Sequence, residues 1–334
     1  MDKELLDILA CPICRGTLKF DRKDQKFVCS QCDREYFILN DIPIMWDEES
    51  VPIEDYINKE EDEMPRLMRQ ADIQATQKFL KKDDENRERN LLWTFEGQIN
   101  RGKRSLAENI THSRMLNSIE NLYNETLKGK KILNIGCGGG IEAEWAVKKG
   151  AEVVGLDISV DFILAAVERF RRNNIKAYFV QGNGEYLPFA DNSFDIVFIY
   201  GTLHHIPQSD KAILETSRVA TELLIGSEPV EIPVLKYFMK IVGWNTEYDQ
   251  LKTYRFDVKK LTNLIYKSGF KDVESRTTWS YFPVFLQRYS DNPTIINYYF
   301  NLLNFLDTYF NYFGHNLSLI ARKNKNLNNS DAEK

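Results

Sequence analysis

Gly136, Gly138 and Gly140 follow directly on the apolar run Lys131-Ile132-Leu133-Asn134-Ile135, and a strand that breaks into glycines builds a nucleotide-sized notch. Glycine lets the backbone turn sharply and approach a ligand where a Cβ would collide. A dinucleotide fingerprint counted from Gly136 needs a glycine at 141, where Ile141 stands, so the loop fits a pyrophosphate cradle poorly. Ala151 to Asp157 reads as a second strand ending in an acid about 20 residues after the loop, where a carboxylate can accept hydrogen bonds from both ribose hydroxyls. Taken singly, such a glycine turn is also a tight strand-to-helix connection and Asp157 also a helix cap. Their joint order favours a nucleoside site.

Gln181-Gly182-Asn183-Gly184-Glu185-Tyr186-Leu187-Pro188-Phe189 then precedes Asp191-Asn192-Ser193-Phe194-Asp195, an apolar strand from Ile196 to Tyr200, and Leu203-His204-His205. Loop, acid, LPF segment, NSFD signature and histidine pair together resemble the class I S-adenosylmethionine-dependent methyltransferases, specifically the type 11 methyltransferase domain, closely over residues 115–225 and loosely to 323. The resemblance implies that Gly136, Gly138 and Gly140 line the methionine and ribose part of S-adenosylmethionine, that Asp157 holds the ribose, and that Asn183 with Gly184 faces the adenine. Asn134, Cys137, Ile158 and Tyr200 complete the implied cofactor contacts, although Cys137 also reads as a small packing residue rather than a nucleophile. Asn134 and Asn183 stand where the family most often has acids, and an asparagine carbonyl still accepts hydrogen bonds without charge.

Cys11-Pro12-Ile13-Cys14 and Cys29-Ser30-Gln31-Cys32 form two CxxC pairs, the ligand set of a closed structural zinc site. Disulfides are the competing reading. Asp2, Lys3, Glu4 and Asp7 interrupt any apolar run at the N-terminus, so no secretory signal is expected and a cytoplasmic location, with reduced thiols that bind Zn2+, is. Residues 1–48 are too few to bury much apolar surface, so metal binding is expected to supply most of this module's folding free energy. The segments Leu5 to Pro12 and Tyr36 to Met45 resemble the small zinc-ribbon proteins that act in trans as activating partners of tRNA and protein methyltransferases; here the ribbon is carried in cis, and a protein partner for it stays open.

Methyl transfer from a sulfonium is driven by its leaving group, so the protein mainly holds donor and acceptor in line and excludes water. An oxygen acceptor also needs to lose a proton, for which His204 or His205 could serve as catalytic base. Alternatively, one histidine packs beneath the cofactor and the other caps the next helix. Tyr200-Gly201-Thr202-Leu203 replaces the Asn/Asp-Pro-Pro-Tyr tetrapeptide of base methylation, which by resemblance points to a small-molecule, sugar or lipid-linked acceptor. RNA methylation with the ribbon positioning the substrate, and a non-enzymatic scaffold, are the alternatives.

The elements that must position these groups follow from periodicity. The expected fold is α/β: a doubly wound Rossmann-like sheet with an N-terminal zinc ribbon and a helical C-terminal insertion. At 334 residues and 43% hydrophobic the chain suffices for one such domain plus smaller additions, and a net charge of −5 argues against a large nucleic-acid footprint. Residues 49–105 read as an acidic linker and helical segment with an apolar patch at Leu91, Leu92, Trp93 and Phe95, residues 106–323 as the methyltransferase domain, and residues 324–334 as a disordered tail. Met115, Leu116, Ile119, Leu122 and Tyr123 predict a helix over 113–127. Val258 to Phe270 predicts another, Lys271 to Thr277 a strand, and His315 to Arg322 the closing strand. Within an aromatic insertion at about 290–313, Ile295, Tyr299, Leu302, Leu306, Tyr309 and Phe313 form the expected apolar arc of a helix, with Asn297, Asn301, Asn304, Thr308 and Asn311 opposite. Its polar stripe speaks against a transmembrane segment; packing on the sheet, a homodimer interface, or a lid over a greasy substrate all fit.

Overall fold

Short CxxC turns organise the N-terminal region of the computed structural model, which describes residues 2–45, 106–231, 255–279, 289–310 and 314–323. The linker and helical segment expected over 49–105, Phe313 and the 324–334 tail lie outside these residues. After a single helical turn α1 (Lys3–Leu6), strands β1 (Leu18–Asp21), β2 (Lys26–Cys29), β3 (Glu35–Leu39) and β4 (Ile42–Pro43) form an antiparallel sheet in sequence order.

Continuous apolar runs make central parallel strands because both faces of each are covered by helices. In β5 (Lys131–Ile135) the four residues after Lys131 are all buried, β6 (Glu152–Asp157) and β7 (Tyr178–Gln181) follow the same pattern, and in β8 (Phe194–Tyr200) the run Ile196 to Ile199 is buried. Helix α2 (Leu106–Tyr123) precedes β5, α3 (Ile141–Lys148) and α4 (Val160–Arg172) separate β5, β6 and β7, and α5 (Ser209–Val219) leads from β8 into β9 (Ala220–Pro229). Val160, Ile163, Ala166 and Phe170 give α4 its buried stripe at helical spacing. Helix α6 (Val258–Lys267) is capped by the Asp257 carboxylate, which accepts from Lys259 N and Lys260 N; β10 (Asp272–Thr278), α7 (Pro293–Tyr309) and β11 (Asn316–Arg322) complete the chain.

The seven-stranded sheet has the order β10-β11-β9-β8-β5-β6-β7, parallel from β9 to β7 and antiparallel at β11 and β10. The winding reverses between β5 and β8. A crevice opens there outside the carboxyl ends of the strands.

Two expectations shift. Helix α2 starts at Leu106 and ends at Tyr123, before the expected 127, because Asn124 takes a left-handed conformation (φ 48°) that stops the helix. Helix α7 buries Ile296, Phe300 and Leu303, whereas Leu302 and Tyr309 from the expected arc are 52% and 68% exposed. Outside the Asn297, Asn301, Asn304 and Thr308 stripe the helix is apolar over most of its circumference, so periodicity does not choose which part of that wide arc is buried. Packing against Ala107 and Ile110 of α2, with Arg114 Nη2 pairing Asp307 Oδ2 at 2.5 Å, decides it. No helix of the described residues is long and apolar enough to cross a membrane.

The ribbon sits on the β7 edge of the large sheet. Ile44 pairs in parallel with Gln181, Met45 N donates to Gln181 O at 2.8 Å, and Leu9 pairs with Phe189 while Ala10 N donates to Pro188 O (3.0 Å) and Ala190 N to Ile8 O (2.9 Å). These bonds satisfy an edge that would otherwise expose open backbone groups. Leu5, Leu9, Phe27, Tyr36 and Met45 join one apolar core with Leu133, Leu156, Val180, Leu187 and Phe189.

Candidate functional site

A cavity of about 350 Å³ occupies the crevice and is lined by Gly136, Gly138, Asp157, Ile158, Asn183, Gly184, Tyr200 and His205, together with Leu156, Phe162, Glu185 and Thr202 among others. Its floor is the glycine loop. Gly136 (φ 65°) donates its N–H to Leu156 O at 2.7 Å, and a Cβ there would meet Thr202 at 2.1 Å. Gly138 (φ 49°) donates to Asp157 Oδ2 at 2.9 Å, while Ser159 N donates to Asp157 Oδ1 at 2.9 Å, so one buried carboxylate ties the loop to the start of α4. Burial pushes the Asp157 carboxyl up to about 6 against the opposing pull of these backbone donors.

On the far wall Asn183 Oδ1 accepts from Glu185 N at 2.9 Å and Glu185 Oε1 from Gln208 N at 3.0 Å, which fixes the segment after β7. Opposite it, the 3₁₀ turn Leu203–His205 is held by a carboxylate that the sequence reading did not single out: Glu228, at the end of β9, accepts from Thr202 N, Leu203 N and His204 N (2.8, 2.8 and 3.1 Å) and lies 2.7 Å from His204 Nδ1. His204 is thereby turned toward Glu228, outside the cavity lining. His205 lines the cavity while part of it stays exposed to solvent, its ring 4.0 Å from that of His204; desolvation on the cavity side first, then the neighbouring His204, brings its pKa down to about 4, so its ring is neutral at neutral pH.

Three further expected cofactor contacts also lie outside the lining. Asn134 is 1% exposed and donates its amide to Phe198 O at 3.2 Å, joining β5 to β8. Cys137 is buried against Gly155, where a Cβ would meet its Sγ at 2.9 Å, and burial raises its thiol pKa, which suits packing and not nucleophilic chemistry. Gly140 (φ 79°) caps α3, with its missing Cβ giving room to Ala166 and Phe170. Another pair escaped notice in the sequence: His112 Nε2 of α2 lies 2.8 Å from Glu142 Oε1 of α3, its ring edge-on to Tyr200 at 5.3 Å. No local signal links His112 to Glu142 or His204 to Glu228. No residue of α7 lines the cavity, so a lid role for that helix gains no support here.

Residues 133–222 match the methyltransferase domain family and residues 2–41 the Trm112p-like protein family. Over 177 residues the chain is 34% identical to the demethylmenaquinone methyltransferase of Staphylococcus carnosus, covering 45% of this chain and 71% of that protein. The chain belongs to the S-adenosylmethionine-dependent methyltransferases. It is also 32% identical over 96 residues to the ubiquinone biosynthesis O-methyltransferase of Methylococcus capsulatus, covering 28% of this chain and 40% of that relative's length. At its N-terminus it is 46% identical over 50 residues to a UPF0434 protein of Nitrosococcus oceani, covering 15% of this chain and 85% of that one.

In this methyltransferase the cofactor is S-adenosylmethionine, and the ribbon's thiols fit a structural zinc. The four Sγ atoms of Cys11, Cys14, Cys29 and Cys32 all lie within 4.8 Å of one another, with Cys11 to Cys32 at 3.7 Å, Cys14 to Cys29 at 3.3 Å and Cys14 to Cys32 at 3.4 Å. Zn–S bonds of about 2.3 Å in a tetrahedron place sulfurs about 3.8 Å apart, close to these separations. The two knuckles are built alike: Arg15 (φ 62°) donates its N–H to Cys11 O and Asp33 (φ 55°) to Cys29 O, and Cys11 N and Cys29 N donate across to Gly16 O and Arg34 O. A Cβ on Gly16 would stand 2.9 Å from Cys29 Sγ. Four thiolates leave no position for water or substrate, so such a zinc is structural.

Proposed function

We propose that this chain transfers a methyl group from S-adenosylmethionine to a hydroxyl oxygen of a small, lipid-linked acceptor of the quinol type. The observation that carries this reading is one cavity that joins the glycine loop, a buried acid at the end of β6 and a neutral histidine. Gly136 and Gly138 would pass beneath the methionine and ribose, Asp157 would hold the ribose, and Asn183 with Gly184 would face the adenine. Among the described residues no lysine or arginine lines the cavity, which suits a nucleoside and an uncharged acceptor better than a phosphate backbone. The names of the relatives, one for demethylmenaquinone and one an O-methyltransferase of ubiquinone biosynthesis, support the acceptor class.

When bound, the cofactor supplies a methyl group on a sulfonium whose thioether leaving group drives the transfer. His205, neutral and facing the cavity, accepts the hydroxyl proton as the carbon–oxygen bond forms, while His204 and Glu228 hold the turn that carries it. A cationic His205 would repel the sulfonium. Apolar neighbours Leu156, Phe162 and Ile206 keep water from the reacting atoms.

Methyl transfer from labelled cofactor into cell extract, with lipid, small-molecule and RNA pools separated, tests this. Label is expected in the lipid-soluble pool; label confined to RNA and lost on ribonuclease treatment would replace the reading with RNA methylation.

A pH dependence follows from Asp157. Its pKa is raised to about 6 in the folded chain, so ionising it costs folded-state stability as pH rises from about 4 through 6. Ribose hydroxyls bind the ionised carboxylate best. Affinity for S-adenosylhomocysteine is therefore expected to drop about tenfold from pH 7.5 to pH 5, where roughly a tenth of Asp157 remains ionised. His205, with a pKa of about 4, is still mostly neutral there. Calorimetry at the two pH values decides it, and a flat profile would remove Asp157 from cofactor recognition.

A further inference from the structure

The zinc ligands have a neighbour, at the head of the segment Tyr36 to Met45, to which the cysteine spacing assigns no role. Tyr36, on β3 opposite Phe27 of β2, is 1% exposed, and its hydroxyl lies 3.1 Å from Sγ of Cys11, itself fully buried. A zinc-bound cysteine has lost its proton, so across this contact the hydrogen can only come from the phenol.

We propose that Tyr36 is a positioning residue of the zinc site, donating a hydrogen bond to the Cys11 thiolate that fixes this ligand and withdraws charge from it. Four thiolates around one Zn2+ carry a net charge of −2, and donors that drain sulfur electron density make such a cluster tolerable in an apolar core. Gln31 N does the same for Cys29, donating to its Sγ at 3.4 Å. Cys11 also directly follows the docked segment, since Leu9 and Ala10, immediately before it, bond Phe189 and Pro188 of the large domain. Fixing the Cys11 sulfur therefore fixes the end of the segment through which the ribbon grips the methyltransferase sheet.

The test uses the full-length protein. Tyr36→Phe keeps the ring and removes only the donor. We expect zinc release to a chromogenic chelator to speed up about tenfold or more, in line with the usual cost of losing an outer-shell partner. We also expect the thiolate-to-metal charge-transfer band of the cobalt-substituted variant to move to longer wavelength, because the Cys11 sulfur becomes more electron-rich. A purely structural tyrosine would alter stability and leave that band in place, so an unmoved band in a folded Tyr36→Phe protein overturns the proposal. Should the variant not fold, the natural chain loaded with ¹¹³Cd decides the question: coupling between the metal and the Tyr36 hydroxyl proton is expected, and its absence overturns the assignment.

Discussion

Asp157→Ala is expected to bind S-adenosylmethionine and S-adenosylhomocysteine about 5- to 150-fold more weakly than the natural chain at pH 7.5. The carboxylate has two tasks. It accepts from Gly138 N and Ser159 N at 2.9 Å each, and it lines the cavity where a ribose would lie. Alanine leaves two backbone donors without their acceptor and removes the partner of the ribose hydroxyls, a loss of about 1–3 kcal/mol for an unsatisfied buried group. Asp157→Asn separates the tasks, since its amide oxygen still accepts one hydrogen bond but the affinity should no longer fall between pH 7.5 and pH 5. Calorimetry with both ligands, alongside circular dichroism to confirm the fold, gives the answer. Undiminished affinity in a folded Asp157→Ala protein would show that the cofactor is held elsewhere.

Removal of zinc should have the second large effect. One metal ion per chain is expected in protein purified without chelator, falling to near zero in Cys29→Ser. Structural zinc supplies on the order of 10 kcal/mol to small ribbons, more than so short a module can replace by apolar burial. Amide exchange should therefore show residues 2–45 losing protection in the zinc-free chain. The consequence extends further, because Met45 N bonds Gln181 O and Ala10 N bonds Pro188 O, bracketing the cavity residues Gly182 to Glu185. That wall should lose protection too, and cofactor affinity should fall by about tenfold or more, as expected when a pre-formed site must be ordered on binding. Strands β5, β8 and β9, in the middle of the sheet, should stay protected. Full protection over residues 2–45 without zinc would refute the metal's structural role, and unchanged cofactor affinity would refute the coupling.

The contact between ribbon and sheet explains why these effects should travel together. Arg15, in the first knuckle, pairs with Glu215 Oε1 at 3.0 Å, while Glu215 Oε2 accepts from Leu187 N at 3.1 Å in the LPF segment. Glu215 is 6% exposed and also pairs with Arg218, whose Nη2 lies 2.6 Å from Glu215 Oε2. A ribbon knuckle and the LPF segment thus share one buried carboxylate.

The sequence by itself determined the features whose physics is local. Gly136 and Gly138 are legible because a positive φ immediately after a strand needs glycine, and Asp157 because a carboxylate one strand–helix unit later must end beside that loop. The four cysteines are legible because each CxxC turn brings two sulfurs within reach of one ion whatever surrounds it. The alternation of buried strands with amphipathic helices likewise follows from side-chain periodicity alone. Tertiary structure decided everything that depends on which strands become neighbours. Asn134 turns to Phe198 because β8 lies beside β5, and His204 turns to Glu228 because β9 lies beside β8; these partners are 64 and 24 residues away. The buried face of α7 is set by α2, since an apolar arc that covers most of a helix does not say which part of it packs. The ribbon's seat on β7 depends on the sheet order, which places β7 at an edge and leaves its outer backbone groups to be paired by the ribbon.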